Sequence, residues 1–283
     1  MVEILRDQLV ALGHPIGSAE PMEDLGLILH NAQRRRLEVR PRTVHRSETL
    51  EQDLENELGT ELGMLLDAVE RGEDLTPRLS LSTYARAYDD AMLNDWGIYH
   101  FHLGTVMKSA RLMNRSGPLL FARVDDDDFY AICVLGHRDW SEQIVLEILN
   151  ENWPNTVAPY QLKGAVGLSQ NLSDDDVALL RKNGINAIVS VGGIPTLGPG
   201  GGVTTDGTSV SASREWISAK SWLRRLPDSA NEWCATIEQA GSLPAKGEPI
   251  KFELKLVGDQ YVVRYVGNGA VMTTRPYRAL AGS

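Results

Sequence analysis

A chain of 283 residues, 42% hydrophobic and 23% charged, has the make-up of an ordinary globular protein and can bury one large or two modest cores without staples. Its formal net charge of −10 argues against a general nucleic-acid binder, and no apolar run approaches the ~18 residues of a membrane span. The two cysteines, Cys133 in AICVL and Cys234 in EWCATI, read as buried free thiols in a reducing cytoplasm, and neither has a CxxC or zinc spacing.

The first residues, MVEILRDQLVALG, hold Glu3, Arg6 and Asp7 inside a helical apolar pattern, which fits an amphipathic helix and not a signal peptide. Gly13 and Pro15 stop it, and MEDLGLILHNAQRRR resumes the pattern. From Arg34 to Arg46 the chain reads RRRLEVRPRTVHR, six arginines and His45 against one acid, Glu38. One reading is a solvated helix end running into an edge strand, where Pro41 is tolerated. The other is a docking strip for phosphates or an acidic partner, using Arg34, Arg35, Arg36, Arg40 and Arg42.

Ser47 is placed to cap a long helix carrying Leu50, Leu54, Leu58, Leu62, Leu65, Leu66 and Val69 on one side, with Gly72 as its stop. A connector, Pro77 to Ser82, leads to a further helix, STYARAYDDAMLNDW, and Gly97 marks the change to strand periodicity. Three strands are expected at Ile98–Leu103, Pro118–Val124 and Phe129–Leu135, the last two joined by a turn at Asp125–Asp128. That acidic quartet lacks the calcium-loop spacing. WSEQIVLEILNENW is an amphipathic helix stopped by Pro154, and a domain boundary is expected near Pro154–Pro159.

Beyond it, YQLKGAVGL reads as a strand, Ser173 opens a capping-box helix to Lys182, and INAIVSV reads as a buried strand. The glycine run Gly198–Gly202 lacks the lysine of a phosphate-binding P-loop and fits a flexible connection. Two helices, SREWISAKSWLRRL and ANEWCATIEQA, precede a β-hairpin, IKFELKLVGDQYVVRYVGNG. The six tryptophans fall mostly on apolar positions and read as core or interface residues.

Candidate chemistry concentrates between Trp96 and Trp140. His100 and His102 sit two apart on a strand and share a face, and His137 ends the third strand, followed by Arg138. Metal-free RNA cleavage needs a base for the 2′-hydroxyl, an acid for the leaving oxygen and cations for the phosphorane. His100 or His102 with His137 suits the proton roles, and Arg138, Lys108, Arg111 and Arg115 suit the phosphate. The same three histidines, joined by Asp95 or Asp139, offer an alternative zinc site. A strand with Tyr99, Phe101 and Leu103 inward and both histidines on a wet outer face needs no function at all.

The order strand, helix, helix, three strands, helix, ending in V-L-G-H-R, resembles the RelE/ParE family of bacterial toxins over residues 37–153. The resemblance implies an α+β fold, with helices on one face of an antiparallel sheet and active groups on the other face, cleaving RNA without metal. His137–Arg138 matches the family's basic dipeptide near the end of its last strand. The second strand departs from the family, opening with Gly117–Pro118 where an arginine is usual. The first strand carries His100 and His102 where the family has lysines or a glutamate. The expected division is a helical extension over 1–36, a RelE-like domain over 37–155 and an α/β module ending in a hairpin over 156–283. The expected function is a cytoplasmic, metal-independent ribonuclease of toxin or phage-defence type, with RNA or the ribosome and an antitoxin as partners. A non-catalytic protein-binding module and a zinc-dependent hydrolase are the alternatives.

Overall fold

The computed structural model describes residues 1–14, 16–17, 20–55, 58–86, 88–109, 112–114, 117–136, 141–258 and 260–276. In chain order its elements are α1 (Val2–Ala11), α2 (Met22–Arg34), β1 (Thr43–Arg46), α3 (Glu48–Leu54), α4 (Gly59–Glu70), α5 (Ala91–Trp96), β2 (Ile98–His102), β3 (Met107–Ser109), β4 (Leu112–Met113), β5 (Leu119–Val124), β6 (Asp128–Leu135), α6 (Ile144–Asn152), α7 (Asp174–Lys182), β7 (Ile188–Val191), β8 (Ile194–Leu197), α8 (Val210–Arg225), α9 (Ala230–Gln239), β9 (Phe252–Val257), β10 (Gln260–Tyr265) and β11 (Val271–Pro276). The fold is mixed α+β with mostly antiparallel sheets, and it divides into two compact units. One comprises Met1–His30 with Arg214–Ser283, the other Asn31–Ser213.

The second unit is built on a four-stranded sheet in the order β1-β6-β5-β2, with β1 parallel to β6 and the remaining pairs antiparallel. Alternating side chains feed two cores. Phe101, Leu120, Ala122, Phe129 and Ala131 face Leu50 of α3 and Leu62, Leu65, Leu66 and Val69 of α4. Ile98, Leu119, Phe121, Ile132 and Cys133 face Val145, Leu146 and Leu149 of α6, Val177 of α7, and Val189 and Val191 of β7. A bulge between Phe121 and Ala122 lets the neighbours Ile132 and Cys133 point into the same core. Each fully buried leucine on these faces contributes about 1.5–3 kcal/mol of transfer free energy.

The other unit packs α1, the N-terminal part of α2, α8, α9 and the sheet β11-β10-β9. Leu5, Leu9, Leu25, Leu29, Trp216 and Tyr261 fill its core. Gly26 is required here: a Cβ at this position would sit 2.2 Å from the Trp216 ring.

Local signals hold well. Ser47 accepts the backbone N–H of Leu50 at 3.0 Å, and Ser173 with Asp176 forms the expected capping box. Gly97 ends α5 with φ 70°, and Asp125 N–H donates to Asp128 O at 2.9 Å across the expected turn.

Long-range expectations differ. The helix expected to run on from Ser47 is two elements, α3 and α4. Of STYARAYDDAMLNDW only Ala91–Trp96 is α-helical, because the Asp90 side chain caps Leu93 N–H at 3.0 Å and starts the helix there. The strand expected in YQLKGAVGL is a single bridge, Gln161 to Thr196. The C-terminal hairpin gains a third strand, β11. The boundary expected near Pro154–Pro159 lies inside the second unit, because α7 and β7 close the same core as β5 and β6.

Candidate functional site

At the acidic-turn end of the four-stranded sheet the register sets His45, Tyr130 and Arg123 side by side across β1, β6 and β5. Asp128, two residues before Tyr130, shares that face. Its Oδ1 lies 2.7 Å from His45 Nε2, and the two side chains are 39% and 35% exposed. A carboxylate on Nε2 fixes the neutral ring with its proton there and leaves Nδ1 with a lone pair, the form a general base requires. The imidazole stacks on Tyr130 with centroids 4.9 Å apart and planes 17° apart. Tyr130 in turn meets Trp153 at 5.2 Å.

Burial, and then the charges of Asp128 and Asp125, push the Tyr130 phenol above its usual value against the opposing pull of Arg123. The phenol therefore keeps its proton and is a hydrogen-bond donor. The Arg123 guanidinium lies over the Tyr160 ring at 5.8 Å and reaches Asp125 at 3.4 Å. A base, a neutral donor and a forked cation thus stand in one row spanning about 10 Å, two inter-strand spacings.

Of the histidines singled out by the sequence, His100 and His102 lie elsewhere. His100 and His102 pair with Phe121 and Leu119 and are only 8% and 2% exposed. The outer face expected to be wet is covered, because α6, α7 and β7 bring their own apolar residues onto it. His100 Nδ1 sits 3.6 Å from Asp90 Oδ2. Lys108 is exposed on β3. His137, Arg138, Arg111, Arg115 and Asp139 lie outside the described residues. Asp95, the other suggested metal ligand, is buried in an ion pair with Arg181 at 2.8 Å, and that guanidinium stacks 3.8 Å over Trp96. Among the described residues no group of three or more His, Cys, Asp or Glu side chains is arranged to hold a metal.

The arginine strip is largely internal. Arg34 donates to the carbonyls of Leu93 and Gly200 at 3.1 and 2.8 Å. Arg35 is buried over Tyr88, and Arg36 lies over Tyr84 at 4.9 Å. Arg42 donates to the carbonyls of Asp125, Glu38 and Arg40, and Arg40 pairs with Asp127. Arg34 and Arg42 thus serve backbone carbonyls of the same unit and Arg35 and Arg36 aromatic rings, while Arg40, at the surface, meets an exposed carboxylate.

The glycine run is a cap for α5. Gly200 N–H donates to Asp95 O and Gly202 N–H to Asn94 O, both at 2.8 Å. A Cβ at Gly198 would meet Asp95 O at 2.1 Å, and one at Gly200 would meet Asn94 O at 2.5 Å. The N–H groups of Gly200 and Gly202 are therefore engaged by α5 carbonyls and that of Gly201 by Gly198 O, which leaves none of the three for a phosphate.

Sequence reading missed the His45 row because its members lie in separate segments, and His45 was absorbed in a basic strip and Asp128 in a turn. Compared with models of protein families, with curated proteins and with solved structures, the chain matches none. Among the described residues no helix is long and apolar enough to cross a membrane.

Proposed function

We propose that this chain is a metal-independent endoribonuclease of the toxin or phage-defence type, with His45, Tyr130 and Arg123 as its acid–base and phosphate groups. The observation that supports the reading is the His45–Asp128 pair at 2.7 Å on a half-open sheet end, in register with a protonated phenol and an arginine. His45 Nδ1 takes the proton of a ribose 2′-hydroxyl, the 2′-oxygen attacks the adjacent phosphorus, and the bond to the 5′-oxygen breaks to leave a 2′,3′-cyclic phosphate. Tyr130, which holds its proton, gives it to the leaving 5′-oxygen, and Arg123 stabilises the charged phosphorane. The sheet order, with α3 and α4 on one face, favours the RelE/ParE-like reading, while the covered second face departs from it.

The aspartates at positions 125–128 repel free polyanions, so the reading calls for a substrate presented by a larger assembly, such as ribosome-bound message. At the opposite sheet end His102, Leu119 and Leu135 align, and the chain following β2 and β6 in sequence is basic. It carries Lys108, Arg111, Arg115, His137 and Arg138, and the proposal keeps these as RNA-holding groups, with His137 the alternative base.

The test is cleavage of free and ribosome-bound RNA by wild type, His45→Ala and His137→Ala, with and without EDTA. EDTA-resistant cleavage lost in His45→Ala supports the proposal, and loss in His137→Ala alone moves the general base to His137. Cleavage that disappears in EDTA and returns with zinc overturns the metal-free reading. No cleavage of either substrate by wild type favours a protein-binding module, a second reading supported by the burial of His100 and His102.

A further inference from the structure

Just past the end of α2 stands an arginine with an unusual environment. Arg35 is 2% exposed, and its Nε, Nη1 and Nη2 atoms are all buried without a hydrogen-bond acceptor among the described residues. Its guanidinium lies 5.6 Å from the Tyr88 ring centroid. The charges nearest to it are Asp89, Asp90 and the like-charged Arg36, and burial holds it below the usual arginine value. Neither carboxylate is hydrogen-bonded to it. Asp89 Oδ1 accepts from Asn31 Nδ2 at 2.7 Å, and Asp90 Oδ1 caps α5 while its Oδ2 faces His100.

Five buried N–H donors without an acceptor, beside a second guanidinium, form a donor set that natural interiors rarely leave unmatched. A single carboxylate matches one guanidinium fork. A phosphate offers more acceptor oxygens and a charge that two adjacent guanidinium groups can share. We propose that Arg35 and Arg36 form a binding site for a phosphate group, and that Asp89 and Asp90, with Tyr84 and Tyr88 over the two guanidinium faces, mask that site in the unliganded protein. The masking groups suit displacement: Tyr84 and Tyr88 are only partly buried and meet the guanidinium groups through their rings, while Asp89 and Asp90, held by Asn31 and the α5 cap, act on Arg35 through charge. The site is separate from the His45 row and stands whether or not the chain cleaves RNA.

The test is calorimetric titration of the full chain with tripolyphosphate and, separately, with a 2′-O-methyl oligonucleotide that resists cleavage. The double variant Asp89→Asn, Asp90→Asn keeps the acceptor oxygens for Asn31 and for the α5 cap but removes two negative charges. Tripolyphosphate is expected to bind it about tenfold tighter than wild type, and Arg35→Gln in that background to lose the gain. Should Arg35→Gln not fold, Arg36→Gln decides in its place. Equal affinity in wild type and the double variant, retained binding in the glutamine variant, or no binding of either probe by any form overturns the proposal. If tripolyphosphate binds and the oligonucleotide does not compete, the ligand is a free phosphoanion. Competition assigns the site to a nucleic-acid backbone.

Discussion

His45 and Asp128, separated by 83 residues in the chain, lie 2.7 Å apart across the parallel pair β1 and β6. The carboxylate sets the tautomer, and Tyr130 sets the ring plane by stacking. His45→Ala is expected to lower single-turnover cleavage about 10²- to 10⁴-fold, the range for loss of a general base. Asp128→Asn keeps an acceptor but removes the charge, and is expected to cost about 10- to 100-fold. A structural role would instead lower thermal stability in proportion to the loss of activity, so both are measured on each variant. Unchanged rates in His45→Ala would exclude the residue from the chemistry.

For His100 and His102 the expectation is the reverse. Both are buried against apolar neighbours on a covered sheet face. Truncation to alanine leaves a cavity, and unfolding in urea is expected to show a loss of about 2–4 kcal/mol for each. Cleavage per folded molecule should stay within about twofold of wild type, far short of the 10²-fold loss of a proton-transfer group. A large rate loss without a stability loss would return these histidines to the active site.

Much of this fold is legible locally. Ser47, Ser173 and Gly97 cap or stop helices through bonds within one turn, so residue type and spacing suffice. The strands containing His100, Phe121 and Ile132 are legible from their apolar runs and intervening turns. What covers them is not legible, because β7 and α7 come from residues 174–191, and only tertiary packing makes the histidine face an interior one. The His45 row depends in the same way on a parallel pairing over a long separation. The glycine run is misread from composition, since its reason lies in the close approach of its backbone to α5.

Gly26 offers a separate check on packing. Alanine has the higher helix propensity and would stabilise an exposed helix by about 0.8–1 kcal/mol. Here the added methyl would meet the Trp216 ring at 2.2 Å. Gly26→Ala is therefore expected to destabilise by about 1–3 kcal/mol, as overpacking does. The pairing of Gly26→Ala with Trp216→Leu should recover part of the loss in denaturant unfolding, and additive losses would refute the contact.

Cys133 gives a pH prediction with a defined window. Its side chain is 1% exposed in the core shared by β5, β6 and α6. Burial first, and then Asp53, push the thiol from 9.0 up to about 12. The folded state thus holds this proton more tightly than the unfolded chain does. The contribution is full below pH 9.0 and is lost as pH rises from there toward about 12. Tyrosines and lysines titrate in the same range, so the comparison is between wild type and Cys133→Ala. The stability advantage of wild type over the variant is expected to be constant from pH 7 to 8.5 and to shrink by pH 10.5. Thiol labelling supplies the second readout. At pH 8 only the half-buried Cys234 should react in the native protein, with Cys133 labelled after denaturation. Rapid native labelling of both thiols, or a pH-independent gap between the two proteins, would show that Cys133 is not sealed in this core.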